Sequence, residues 1–348
     1  MKVARLMKPY DIEQIDQPIP VPGDNEVLLK NITLGVCTSD LQIYHGLHKY
    51  AAMPVTMGHE EAGLVAAVGK NVKDWKVGDR VVLQPQKFCK HCAPCRTGHP
   101  NVCEDLKVIG VHVDGCACEY TAVPADTLHA LPDAVSFRDA ALIEPMAVGF
   151  GVVRRINEVT DIHGKKVCVV GAGTIGNLVA QACKAMGATQ VMITDILDEK
   201  LALAKRCGID FAVNTKDTSL ADAIVSCFGE DKADIIVDSA ANPFVFKSIM
   251  EAARKASIVV ISGNYKEPVS FDVTLLQRRE ITLLGHMMYI HDEYEDALEQ
   301  LAKGNIHTDG LITQEWTLQQ YPEAFKFADE HPNDVVKMIV RITDDETV

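Results

Sequence analysis

KKVCVVGAGTIGNLVAQACKAMG (165–187) runs from a short apolar stretch through a glycine-rich turn into a helix-length segment. Gly171, Gly173 and Gly176 stand at G-x-G-x-x-G spacing. That spacing alone is a weak signal, and it gains meaning because it follows a strand pattern and opens a helix. Gly171 permits the tight turn and Gly173 lets backbone approach a pyrophosphate. Thr174 and Ile175 begin the helix whose N-terminus faces phosphate charge, and Gly176 allows close helix packing. Asp195 ends the next apolar run. Its carboxylate suits both ribose hydroxyls and repels a 2′-phosphate, so NAD is expected over NADP. Lys200, about one helical turn further on, offsets part of that repulsion. Ser262, at the end of a later strand, is counted with the cofactor-binding residues.

KKVCVVG (165–171), TQVMITD (189–195), FAVN (211–214), ADIIVDSA (233–240), ASIVVISG (256–263) and ITLLGH (281–286) read as strands, several separated by helix-length segments. Apolar strands joined by helices predict a doubly wound parallel sheet covered on both faces. The first half differs. EVLLKNITLGV (26–36), AGLVAAVG (62–69) and DRVVLQP (79–85) are broken by Gly, Pro and Asp and predict a β-rich, barrel-like domain with long loops. The expected fold is therefore α/β in two domains. Residues 151–285 bind nucleotide, and residues 1–150 with 286–348 form the other domain.

The 348-residue chain carries 34 basic and 48 acidic residues, a formal charge of -14, and is 47% hydrophobic. Such a balance argues against nucleic-acid and anionic-membrane partners and suits a small-molecule substrate. No apolar run approaches the roughly 18 residues of a membrane helix, and no secretory signal follows Met1-Lys2. With 11 cysteines and no export signal, a reducing, cytoplasmic location is expected, where clustered thiols hold metal.

FCKHCAPCRTGHPNVC (88–103) contains that cluster, with Cys89, Cys92, Cys95 and Cys103 spaced C-x2-C-x2-C-x7-C. A disulfide pair or an iron–sulfur cluster draws on the same residue type. A closed, structural zinc site of four thiolates fits the spacing best. A second set is dispersed: Cys37 after a strand, His59 and Glu60 in GHEEAG (58–63), and Glu144 before Pro145. One thiolate, one imidazole and carboxylates make an open zinc shell with a position left for substrate. Singly, each has a plain structural reading, and spacing does not decide the site.

GHEEAGLVAAVG (58–69), the four-cysteine lobe and GAGTIG with Asp195 occur in an order and at separations that resemble the zinc-dependent medium-chain dehydrogenases over essentially the whole chain. The likeness is greatest to the branch of sorbitol, galactitol-phosphate and threonine dehydrogenases. The resemblance implies a GroES-like catalytic domain beside a Rossmann domain, and two zinc ions per chain with NAD. It implies that Cys37 and His59 hold the catalytic zinc while Glu60 and Glu144 alternate as ligands or orient water. The implied reaction oxidises a secondary alcohol of a polyol, cyclitol or sugar derivative to a ketone, through a zinc alkoxide and hydride transfer. Threonine or a sugar acid is the alternative substrate, and a catalytically silent zinc- and NAD-binding sensor is the alternative class. Ser39 would take the alcohol proton. Relatives carry a histidine five residues after the zinc cysteine, where this chain has Gln42, so His45, His48 or water must complete any relay. Tyr44, His45, His48, Met288 and Tyr289 are the implied substrate contacts. His112 with Cys116 or Cys118 are further pocket candidates. Polyol-type members of the family imply a homodimer or homotetramer joined through the nucleotide domains.

Overall fold

The computed structural model describes all residues from Met1 to Val348. The chain divides into two compact units, Met1–Glu144 with Leu311–Val348, and Pro145–Gly310.

The first unit is built around one long strand, Glu26–Val36, whose side chains are buried from Val27 onward. Both faces are covered, so even its polar residues Lys30, Asn31 and Thr33 are buried; Leu29, Ile32 and Leu34 are each at most 2% exposed. This strand pairs antiparallel with Glu60–Val68 on one side, and with Lys337–Arg341 and Tyr120–Pro124 along the other. The seven-stranded sheet continues through Arg80–Leu83 to Leu128–Ala130 at one end and to Ile312–Thr317 at the other. A smaller sheet joins Asp11–Asp16, Lys2–Lys8 and Val55–Thr56. The register matters for function. Gly35 pairs with Glu60 and Val36 with Met338. Cys37 follows Val36, Lys337 precedes Met338, and His59 precedes Glu60, so all three stand where these pairings end. Segments separated by most of the chain thus meet at one end of the sheet.

The second unit holds six parallel strands in the order Phe211–Asn214, Gln190–Asp195, Lys166–Val170, Ile235–Asp238, Ile258–Ile261, Thr282–Gly285. All six lie in the apolar runs expected to be strands. Their order steps outward in both directions from Lys166–Val170, which is the doubly wound arrangement. Cys168, Met192, Ile236 and Val259 from the sheet pack against Ile224, Phe228, Phe246 and Ile249 from the helices Leu220–Phe228 and Pro243–Ala252. Each such buried aliphatic or aromatic side chain stabilises the fold by about 1.5–3 kcal/mol relative to exposure. The helices begin where side chains satisfy the first free N–H groups. Ser219 accepts from Asp222 N, and Asn242 accepts from Phe244 N just before Pro243.

The boundaries differ from those expected at 150 and 286. Residues 286–310 pack within the second unit rather than the first. The helix His291–Ala302 is tied there by Glu293, whose carboxylate lies 2.8 Å from Arg154 Nε. Tyr294 packs edge-on to Tyr289, and His307 N donates to Gln181 Oε1 at 2.7 Å. No helix is long and apolar enough to cross a membrane.

Candidate active site and metal centres

The lobe between Gln86–Lys87 and Lys107–Val108, two short strands paired antiparallel, carries four thiols with sulfurs all within 4.8 Å of one another. Cys89 Sγ and Cys95 Sγ are 4.0 Å apart, and Cys92 Sγ and Cys103 Sγ 3.8 Å. A tetrahedron with metal–sulfur bonds of about 2.3 Å has edges of about 3.8 Å, whereas a disulfide needs about 2.05 Å. The spacing therefore fits four thiolates around one ion. Backbone amides add to the fit: Cys92 N points at Cys89 Sγ and Cys89 N at Cys103 Sγ, each at 3.3 Å. Hydrogen bonds to sulfur favour the thiolate. They act most on Cys92, whose pKa falls to about 6, while burial pushes Cys95 up to about 12.

The second cluster stands at the end of the first unit's sheet. Cys37 caps the helix Thr38–Tyr44. Its sulfur, a ring nitrogen of His59 and a carboxylate oxygen of Glu60 lie within 4.8 Å of one another. A glycine at 35 is obligatory here, because a Cβ would collide with the Glu60 carboxylate and with Ala141 O. Two residues not singled out from the sequence complete the cluster. Asp40, fully buried, accepts from Cys37 N through Oδ2 at 2.9 Å, and its Oδ1 lies 3.4 Å from His59 Nδ1. With Nδ1 engaged by a carboxylate, Nε2 is the nitrogen left for a metal, a common arrangement of metal-binding histidines. Burial opposes charge on His59, but the Asp40 carboxylate and Cys37 outweigh it and raise its pKa well above the ordinary value. A bound cation would reverse that preference. Lys337, 4% exposed, forms an ion pair with Glu60. Burial disfavours its charge, and Glu60, Cys37 and Glu144 more than restore it, so its pKa rises. A thiol, an imidazole and a carboxylate, converging at the sheet end with a carboxylate behind the imidazole, are the donor set of an open zinc site.

Glu144 is buried in the first turn of the helix Ile143–Asn157 and acts on Lys337 through its charge. It does not belong to the close trio of Cys37, His59 and Glu60. Ser39 lies one residue into the helix that Cys37 caps, with its backbone N–H 3.5 Å from Cys37 Sγ. Tyr44 and Tyr289, expected as substrate contacts, are core residues instead. Tyr44 is 4% exposed and packs on Tyr10 and Phe325; Tyr289 is 0% exposed. An aromatic ring large enough to fill the interior gains more from burial than from facing solvent. Cys116 and Cys118 are likewise buried, and burial pushes both thiols up, Cys118 to about 11. His45 Nε2 is held by both oxygens of Asp329 at 2.8 and 2.9 Å. Met288 is half-buried with a left-handed backbone at φ 50. Asp40 had a local signal, an acidic residue three positions after the helix cap. Lys337 had none.

In the second unit the glycine-rich turn follows Lys166–Val170 and opens the helix Thr174–Ala185. A Cβ on Gly176 would overlap Gly171 O, so only glycine lets the helix sit so near the strand. A Cβ on Gly173, the helix N-cap, would meet nothing within 4 Å, which leaves room for a phosphate against the helix N-terminus. Asp195 Oδ2 accepts from Ala172 N at 2.8 Å, and Oδ1 from Ile196 N at 2.8 Å. The carboxylate is thereby fixed beside the turn. Lys200 lies in the helix Asp198–Arg206, which follows. Ser262 N donates to Asp238 O at 2.9 Å, and Ser262 Oγ lies 3.4 Å from His286 Nδ1. The turn geometry and room at Gly173 fit a dinucleotide.

Comparison with known proteins agrees with this geometry. Residues 23–133 match the alcohol dehydrogenase GroES-like domain, and residues 174–303 match the zinc-binding dehydrogenase family. The starvation-sensing protein RspB of Escherichia coli K12 is 32% identical, covering 99% of this chain and 100% of its own. Sorbitol dehydrogenase of Bacillus subtilis 168 is 30% identical, covering 98% of this chain and 97% of its own. A crystal structure of the alcohol dehydrogenase rspB of Escherichia coli CFT073, complexed with NADH, superposes with a TM-score of 0.90 at 31% identity, over 98% of this chain and 99% of that one. This chain belongs to the zinc-dependent medium-chain alcohol and polyol dehydrogenase family.

Proposed function

We propose that the chain uses NAD to oxidise a secondary hydroxyl of a polyol, cyclitol or related sugar derivative to a ketone, with zinc held by Cys37, His59 and Glu60. The convergence of those three side chains at one buried sheet end carries this reading. Zinc bound there would supply a Lewis acid that eases loss of the hydroxyl proton, and NAD would supply the hydride acceptor.

The protein's own groups do the rest. Asp40 holds the His59 ring in one orientation and tautomer. Lys337 neutralises Glu60 and holds its carboxylate at the sheet end. Ser39, half-buried beside Cys37, takes the proton leaving the alcohol while giving up its own hydroxyl proton to water. Glu144 stands in reserve as the alternate carboxylate, with Lys337 between the two acidic groups in charge terms. Asp195, held rigid by backbone amides, receives the ribose hydroxyls and disfavours a 2′-phosphate. The four-cysteine lobe holds a second zinc whose shell is closed, so its role is structural.

Zinc content and NADH absorbance on a panel of polyols, inositols, aldonates and threonine test the reading. Reduction of NAD by a polyol or sugar derivative, with about two zinc ions per chain, is expected. A zinc-loaded, NAD-binding protein that turns over nothing on the panel would instead favour a sensor, the class suggested by the name of its starvation-sensing relative. The strand Thr282–Gly285 pairs on one side only. Such an edge supports a homodimer or homotetramer joined there, and light scattering reads its mass.

A further inference from the structure

Glu61 follows His59 and Glu60 along the strand Glu60–Val68, and the proposed chemistry does not use it. Successive side chains of a strand point to opposite faces, so Glu61 turns to the face opposite Glu60. It is 2% exposed there, and neither of its carboxylate oxygens has a hydrogen-bond partner. Burial raises its pKa well above the ordinary carboxylate value, and no neighbouring cation brings it back down. An ionised carboxylate left bare in the interior is among the costliest groups a fold can hold.

Two more oxygens stand close by. A Cβ on Gly63 would lie 2.4 Å from Glu61 Oε1 and 2.3 Å from Lys30 O, so both oxygens crowd the space that this glycine leaves open. Gly63 pairs with Asn31 across the two strands. Residues directly opposite in an antiparallel pair share a face, with about 5 Å between their Cβ positions. Asn31 is fully buried, and its Nδ2 donates to Cys118 O and to Thr121 Oγ1, both at 2.8 Å. Those bonds fix the amide and leave Oδ1 without a partner. The same Nδ2 lies 3.7 Å from Cys118 Sγ. Burial pushes the Cys116 and Cys118 thiols up, and the charge of Glu61 reaches both and adds to the shift.

We propose that the Glu61 carboxylate, Asn31 Oδ1 and Lys30 O bind a dehydrated alkali cation, sodium or potassium, between the strands Glu26–Val36 and Glu60–Val68. Every free position in the cluster is an acceptor. A proton on Glu61 would find no acceptor within hydrogen-bond distance and would leave Asn31 Oδ1 as it is, whereas one cation serves all three oxygens. Charge selects the ion. A single carboxylate neutralises a monovalent cation, while calcium sites gather more carboxylates and magnesium keeps several waters. Oxygen donors alone do not compete for zinc with the thiolate and imidazole of Cys37 and His59. The ion ties the strand that starts at Glu60 to the strand that leads to Cys37, and so braces the pairing that sets the zinc ligands.

The test melts the zinc-loaded, full-length protein in sodium, potassium and tetramethylammonium chloride at equal ionic strength. At about 100 mM, sodium or potassium should raise the melting temperature by about 5 °C over tetramethylammonium, along a curve that saturates as binding at one site does. Glu61→Gln and Asn31→Leu should each melt at one temperature in all three salts and keep the wild-type zinc content. A crystal grown with rubidium in place of potassium should show an anomalous-scattering peak beside the Glu61 carboxylate, which reads the site even if neither variant folds. Equal melting temperatures of the wild type in the three salts overturn the proposal, as does a salt-specific shift that Glu61→Gln retains in full. Neither measurement needs NAD or an alcohol, so the cation site stands or falls apart from the dehydrogenase reading.

Discussion

The cysteine lobe and the cluster at the end of the sheet both gather metal donors within 4.8 Å, yet they are assembled in opposite ways. The lobe draws four identical thiols from residues 89–103, and its geometry is local. The sheet-end cluster draws Cys37, Asp40, His59, Glu60 and Lys337 from a capped helix and two strands with the residue before one of them, and only register unites them. A saturated, locally made shell suits an ion that must stay put. A mixed shell, built by the whole sheet and supported by second groups behind the ligands, suits an ion that must exchange a position with substrate.

That contrast can be broken by substitutions in one place or the other. Cys37→Ala should cut kcat to below about a thousandth of wild type, because the group that polarises the hydroxyl is lost. Metal analysis should then find about one zinc per chain, held in the lobe. A loss of both ions would mean the two centres are not independent. Cys95→Ser should do the reverse. It should remove the lobe metal and lower the melting temperature by roughly 10 °C, if the closed site contributes about 3 kcal/mol, while molecules still folded keep most of their kcat. Calorimetric melting with parallel kinetics separates the two effects. Asp40→Asn should have a smaller effect on the chemistry than Cys37→Ala, about 10- to 100-fold in metal affinity or activity, because it loosens the His59 ring without removing a ligand. A competition titration with a chelator measures it, and unchanged zinc affinity together with unchanged kcat would show that Asp40 serves only the helix cap.

The same contrast explains what could be read in the chain before its structure. The lobe and the glycine-rich turn announce themselves because their chemistry depends on residues close in sequence. The six parallel strands follow from apolar runs that burial on two faces demands. Asp40 was legible in principle, as the acidic partner in a capping box after Cys37. Lys337 was not, because nothing near it in sequence distinguishes it from a surface lysine. Only the antiparallel pairing of its strand with Glu26–Val36 brings it to Glu60. Tyr44 and Tyr289 were misplaced for a related reason. A tyrosine pattern does not say which way the ring points, and here Phe325 and Tyr294 decide it. The unit boundary moved to 310 because Glu293 found Arg154 and His307 found Gln181, long-range partners that leave no periodic trace.

The pairing of Lys337–Arg341 with Glu26–Val36 also fixes an order of events during synthesis. The nucleotide-binding unit is one continuous stretch, Pro145–Gly310, and can fold as soon as it has emerged from the ribosome. The unit that begins the chain cannot close its central sheet until a strand made after all of Pro145–Gly310 arrives. During that interval Glu60 lacks its ammonium partner. The sheet begun before Pro145–Gly310 is therefore completed after it, and activity switches on only once Lys337–Arg341 has been made.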